Sequence, residues 1–445
     1  MEIIIPKLEK RKFVGGILKN SIKYINIQDE ELDTSRVVVS VNIGYLNDPH
    51  NYQGLSHFLE HMLFLGSKKY PGEDSFERFL NENGGSSNAY TDTFETVYYF
   101  TILNNSLEKA IDMFSRFFID PSFDKDSVNR EINAIDSEHS KNINQDVWRL
   151  QHFIGMLSLD KSMINKFSTG NLQTLNKEGV RDAMMNYHDK YYISPKISIV
   201  TISSLNLKKI NNFVEKSFSE IPKEKDIKLE IEKPFFSNKG SSYFLKSISK
   251  KQSLIYFWEI PAHVTNYKDS HSDYILLHVI SADNEKSLKQ FLITKGLIKN
   301  LYCHINTEGI FIVDFELSKL SNWKKVDSYF RYYMDNLVNQ NWSEICKYSK
   351  KKDEVLFNFS AKISSDDLGV RLAENLSRYS IKRCFVGSSI PSYISESEIN
   401  DLLVDHLNFD RANLVIMSNE LNEEDFNFGE IQTEPYYNLE YTKIS

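Results

Sequence analysis

In the run HFLEH, His57 and His61 stand four residues apart with Glu60 beside the second of them. On a helix that spacing turns both imidazoles to one side and leaves the carboxylate next to them. Two neutral imidazoles are suitable donors for a zinc ion, at roughly 2.0–2.1 Å each, and a carboxylate within reach can take a proton from water held there. Zinc lowers the pKa of such a water to about 7 and polarises a carbonyl. The chemistry this triplet points to is therefore hydrolysis, with Glu60 as general base.

A catalytic zinc needs a third protein donor and one open position. REINAIDSEH supplies two acids on one stripe, Glu131 and Glu138, two helical turns apart, so both can face one cavity from a second helix. Spacing alone does not choose between them. His139 follows Glu138 directly and is turned about a quarter-turn or more away, so it is left out.

These residues need elements to hold them. Leu55, Leu59, Met62 and Leu63 recur at helical spacing around HFLEH, and Gly66 and Pro71 mark the stop. Strand-like runs at Ile22 to Ile27 and Val37 to Tyr45, separated by a polar turn, are expected to form a hairpin. SFERFLNENGG predicts a short helix and SNAYTDTFETVYYFTIL a strand pair; Ser106 to about Tyr192 is mostly helical, and SPKISIVTI returns to a strand. The stretch 222–240, rich in proline, charge and glycine, reads as a linker. Beyond it the order repeats loosely: strands at Ser242 to Ser247 and Ser253 to Glu259, helices near Asp273 to Thr294, a strand at Gly309 to Glu316, helices, and a strand at Ala412 to Met417. The expected fold class is α+β, with two similar domains, each a mainly antiparallel sheet packed with helices, at 1–221 and 241–430.

Length and composition agree with folded domains: 445 residues, 41% apolar and 26% charged. A net charge of −8, without a basic stretch interleaved with aromatics, argues against a nucleic-acid partner. No run approaches a membrane span and MEIIIPKLEKRKF lacks a signal-peptide pattern, so a cytoplasmic setting is the expectation. Cys303, Cys346 and Cys384 lie far apart in no CxxC pattern, which predicts neither a disulfide framework nor a thiolate zinc site.

HFLEH, GGSSNAYTDTFETVYYF, REINAIDSEHSKNINQDVWRL and KFSTGNLQTL, in that order and spacing, resemble the pitrilysin or insulinase family, on its insulysin-like side, over nearly the whole chain. HxxEH is the inverted zincin motif. The resemblance implies a zinc-dependent endopeptidase in which Glu138 completes the ligand set with His57 and His61. It implies that Glu131 is an acid holding a ligand or the water in place. It also implies that Ser86 to Tyr90 is an edge strand to which an extended peptide adds, with Asn88, Ala89 and Tyr90 at the contact. Trp148 and Thr169 match positions near the bound peptide. Manganese suits the same donors, but zinc is the expected ion.

Long members of the family are about twice this length, and their second half contributes an arginine and a tyrosine. Short members carry that pair in their own second domain, where this chain has Leu292 and Lys299 in LITKGLIKNLY. The glycine-rich anchoring segments are also poorly matched, at ISADNEKSL and HINTEGIF. The resemblance therefore predicts a complementary carboxy-terminal half as partner, with 431–445 beginning the connection to it. The alternatives are a subunit of a two-domain processing peptidase, disfavoured by the missing pair, and a non-catalytic scaffold, disfavoured by the intact HFLEH and SEH.

Overall fold

The computed structural model describes residues 2–160, 162–227, 231–237, 239–261, 272–387, 389–391, 393–420, 426 and 428–444. The chain divides into two compact units, Met1–His139 with Lys166–Glu230 and Asp353–Ile390, and Ser140–Asn165 with Ile231–Lys352 and Pro391–Ser445.

The first unit is built on a six-stranded sheet in the order β1-β2-β6-β3-β5-β4. Its strands are β1 Lys12–Ile17, β2 Lys23–Gln28, β3 Thr34–Val41, β4 Ser86–Thr91, β5 Thr96–Leu103 and β6 Ile197–Ser203. All neighbours are antiparallel except β2 and β6. The expected hairpin of β2 with β3 does not form, because β6 lies between them. Every residue of β6 is buried. Its side chains alternate between two cores: Ile197 and Ile199 join one, Val200 and Ile202 the other. A strand buried on both faces belongs in the middle of a sheet, and no local signal at residues 22–45 could announce it.

One face of this sheet is covered by α1 Leu55–Leu63, α2 Ser75–Glu82, α3 Leu107–Ser115, α7 Val180–Tyr191 and α8 Leu207–Phe218, whose apolar residues form the larger core. Between them in sequence lie α4 Lys125–Asn142, α5 Asp146–Met156 and the single turn α6 Leu172–Leu175. The other face is covered by the helix Ser365–Arg378 through Leu368, Leu372, Ala373 and Leu376, the stripe a helix presents every three to four residues.

The second unit carries a seven-stranded sheet in the order β12-β13-β7-β11-β8-β10-β9. Its strands are β7 Ser242–Lys246, β8 Ser253–Glu259, β9 Ile298–Ile305, β10 Ile310–Leu317, β11 Asn413–Ser418, β12 Gln432–Glu434 and β13 Leu439–Ile444. The succession β7-β11-β8-β10-β9 repeats β2-β6-β3-β5-β4 in order and sense, with the one parallel pair in the same place. Both sheets are thus mainly antiparallel and packed with helices, as the α+β class expects.

Three boundaries differ from the sequence expectation. The stretch expected to begin a linker at 431–445 instead holds β12 and β13, of which β13 pairs with β7 and β12 forms the edge of the second sheet. Residues 140–165, expected in the first domain, belong to the second unit. There Phe153 of α5 packs edge-on against Tyr243 and Tyr441, and Arg149 donates to the carbonyls of Tyr437 and Lys246 at 2.8 and 3.0 Å. Residues 353–390 join the first unit for the corresponding reason, an apolar helix face that fits the uncovered side of its sheet. Of the expected linker 222–240, residues 228–230 and 238 lie outside the described residues. Among the described residues no helix is long and apolar enough to cross a membrane, and all three cysteines are free.

Candidate active site

Helix α1 buries Leu55, Phe58, Leu59, Met62 and Leu63 in the larger core of the first unit. Each fully buried side chain of this size contributes about 1.5–3 kcal/mol, which fixes the helix rotation and turns His57 and His61 to the opposite stripe. The helix starts at Gly54, at φ +87° without a cap of its own. Asp48 supplies the cap from a distance: its carboxylate accepts the N–H of Gly54 at 2.8 Å and of Ser56 at 2.9 Å. Burial pushes the Asp48 carboxyl up to about 7, against the pull of those amides and of Lys166. Lys166 in turn donates to the main-chain carbonyls of Leu46 and Asp48. The segment that follows it, KFSTG, therefore lies against the start of α1. A Cβ on Gly54 would stand 2.3 Å from the Cα of Gly170, an approach only glycine permits.

That contact delivers the carbonyl of Thr169 to His57, with oxygen and Nδ1 2.7 Å apart. A carbonyl only accepts, so Nδ1 carries the proton and the Nε2 lone pair is free for a metal. His61 is held likewise, its Nδ1 3.2 Å from Oε2 of Glu131 on α4. Oε2 of Glu138, two turns along the same helix, lies 3.6 Å from Nε2 of His57 and 3.6 Å from Nε2 of His61. One donor atom from each of these three residues lies within 4.8 Å of the others. Two ligands about 2.1 Å from a tetrahedral ion stand about 3.4 Å apart, so the spacing suits one ion held by three protein donors. Burial alone would lower the pKa of His61, but hydrogen bonds that its ring N–H groups donate to Glu131 and Glu138, and the charge of Glu60, bring it to about 9. Carboxylates crowded round two imidazoles attract a cation, and a metal ion satisfies that demand as a proton does.

Glu60 stands outside the donor set and is 7% exposed. Burial raises its pKa, opposed by His57, by the Thr91 hydrogen bond and by His61. The Thr91 hydroxyl donates to its Oε2 at 2.6 Å. A buried carboxylate beside the donor set, with its pKa raised above the ordinary range, is a candidate for proton transfer.

Strand β4 forms the outer edge of the first sheet. Ser87, Ala89 and Thr91 face the α1 side, where Ser87 bonds Glu77 of α2 and Thr91 bonds Glu60. Asn88 and Tyr90 face the other way, and the Tyr90 hydroxyl donates to Glu374 at 2.5 Å. Asn88 and Tyr90 therefore reach the α1 side only through their main chain. Trp148 is half-buried on α5, in the second unit. His139 is buried with its ring edge-on to Phe167 at 4.8 Å and takes no part in the donor set. Leu292 is a fully buried core residue of the second unit, and Lys299 lies 4.0 Å from Glu316. The structure thus brings His57, Glu60, His61, Glu131 and Glu138 together, and adds Asp48, which carried no periodic or motif signal, and Thr91, which lies in the run GGSSNAYTDTFETVYYF but was given no role there.

Comparison with known proteins gives a consistent picture. Residues 23–158 match the profile of "Insulinase (Peptidase family M16)" and residues 180–345 that of "Peptidase M16 inactive domain". The chain is 31% identical to insulin-degrading enzyme-like 2 of Arabidopsis thaliana, over 99% of its own length and 46% of that protein's. It is 32% identical to the insulin-degrading enzyme of Mus musculus, over 99% and 44% respectively. It therefore spans somewhat under half the length of these relatives. The crystal structure of pitrilysin superimposes with a TM-score of 0.92 at 23% identity, over 99% of this chain and 47% of that one.

Proposed function

Since the chain belongs to the insulinase (M16) family of peptidases, we propose that it is the metal-bearing half of a zinc endopeptidase, with His57, His61 and Glu138 as ligands and Glu60 as general base. The observation that carries this reading is the convergence of Nε2 of both histidines on one oxygen of Glu138, each at 3.6 Å, with both Nδ1 atoms engaged elsewhere. Two nitrogens and one carboxylate oxygen form the donor set of many catalytic zinc sites.

When bound, zinc supplies Lewis acidity, polarising a peptide carbonyl and making nearby water easier to deprotonate. Glu60 takes the proton of the attacking water and returns it to the departing amine. Glu131 and the Thr169 carbonyl fix the tautomer and ring orientation of the two histidines. The free edge of β4 pairs with the main chain of an extended peptide: Ala89 lies on the α1 side, and Asn88 and Tyr90 contribute backbone groups. Substrates are accordingly peptides.

The second unit serves as a non-catalytic counterpart. It repeats the strand order of the first, yet among the described residues its helix Ser272–Ile280, which follows β8 in the chain as α1 follows β3, carries His278 as its one imidazole. A complementary half is proposed as partner, since the chain spans 44–46% of its relatives. The three free cysteines suit a reducing compartment such as the cytoplasm.

The test is metal content by mass spectrometry together with cleavage of a long peptide, for the chain alone and with the complementary half. About one zinc per chain is expected. Weak or no cleavage is expected from the chain alone, rising when the other half is added and absent in Glu60→Gln. Retained turnover in Glu60→Gln, or no zinc under either condition, would overturn the proposal.

A further inference from the structure

We propose that Thr91 is a positioning residue for the base: its hydroxyl fixes one oxygen of Glu60 so that the other stays free for the water. This rests on the assignment of Glu60 as base. Thr91 Oγ1 lies 2.6 Å from Oε2 of Glu60, and among the described residues it is the only side chain that donates to that carboxylate. A carboxylate attached through rotatable bonds has no preferred facing of its own. In a site where it touches an attacking water, a single fixed orientation raises the fraction of encounters that transfer the proton.

The Thr91–Glu60 bond is held from both ends by one segment, Ile43 to Asp48. At the α1 end, Asp48 ties down the N–H groups of Gly54 and Ser56. At the β4 end, Thr91 pairs with Thr96 as the last rung before the turn. That turn is pinned by Tyr45 N–H to the Asp92 carbonyl at 3.1 Å, Leu46 N–H to the Thr93 carbonyl at 3.3 Å, and the Thr96 hydroxyl to the Ile43 carbonyl at 2.9 Å. Gly44 lies so close that a Cβ on it would stand 2.0 Å from the Asp92 carbonyl oxygen. The hydroxyl is thus built into a rigid abutment rather than met by chance. Thr91 also follows Ala89 on the same face of the edge strand, so a peptide paired with β4 would order the residue that orients the base.

The test compares Thr91→Val, which keeps the shape and removes the donor, with Thr91→Ser, which keeps the donor, in the zinc-loaded chain together with its complementary half. For Thr91→Val we expect unchanged zinc content, kcat lowered about 10–100-fold and KM within about twofold, the size of one lost charge-assisted hydrogen bond felt in the transition state. Thr91→Ser should stay within about threefold of the parent. Crystal structures of both variants give a readout independent of turnover: the Glu60 carboxylate should spread over several orientations in Thr91→Val and keep one in Thr91→Ser. Parental kcat with a single Glu60 orientation in Thr91→Val overturns the proposal, as does a raised KM at unchanged kcat. If no variant turns over, the Glu60 orientation decides. Activity retained by Glu60→Gln would instead remove the base assignment itself.

Discussion

The main-chain carbonyl of Thr169 lies 2.7 Å from Nδ1 of His57, although 112 residues separate them. The bond exists because the segment carrying Thr169 passes within contact of the residue that precedes α1, at Gly54 and Gly170. The histidine tautomer is thus set by a backbone crossing, and the crossing depends on two residues without side chains.

Gly54→Ala should therefore damage both stability and the metal site. The left-handed conformation at φ +87° costs a non-glycine residue about 1 kcal/mol. The added Cβ, 2.3 Å from Gly170 Cα, must also push the Thr169 segment away. We expect a loss of on the order of 2–4 kcal/mol, read by denaturant melts, together with weakened zinc binding. Parental zinc affinity in a folded Gly54→Ala variant would show that the Thr169 carbonyl is dispensable.

The two acids of α4 should separate cleanly by metal titration. Glu138→Gln removes the proposed ligand, whose Oε2 lies 3.6 Å from both Nε2 atoms, and should abolish stoichiometric zinc. Glu131→Gln touches only Nδ1 of His61 and should weaken zinc about 10–100-fold while leaving the stoichiometry intact. The reverse order of effects would exchange their roles.

Stability should depend on pH through Glu95. Burial pushes its carboxyl from 4.5 to about 7, opposed by Arg378 and assisted by Glu374 and Asp92. A carboxyl whose pKa is higher in the folded state binds its proton more tightly there. Its contribution is fully present below about pH 4.5 and is lost as the pH rises through about 7. In urea melts at saturating zinc, the difference between parent and Glu95→Gln should shift against the parent by on the order of 2 kcal/mol between pH 5 and pH 8. A difference independent of pH would show that Glu95 is ionised throughout.

Thiol reagents should leave the metal site untouched. No cysteine belongs to the donor set. Burial raises the pKa of all three thiols, that of Cys384 to about 12, so little thiolate is present at neutral pH. Alkylation of the native chain should be slow and should release no zinc; zinc lost in step with alkylation would contradict this.

The sequence by itself determined the placement of His57, Glu60 and His61, because an i, i+4 pair on a helix is oriented by the helix's own hydrogen bonds and the apolar stripe that buries it. The same periodicity put Glu131 and Glu138 on one stripe, but only the fold shows one against Nδ1 of His61 and the other between both Nε2 atoms. The roles of Thr91 and Asp48 were not legible in the sequence, since a hydroxyl or carboxylate that bonds a distant partner has no period to betray it. The strand order was equally hidden: β6 enters between β2 and β3 because it has two buried faces to fill, a condition set by helices far from it in the chain. The units decided their own membership on the same ground, each taking whichever helix, α5 or Ser365–Arg378, covers the apolar face its sheet would otherwise expose to water.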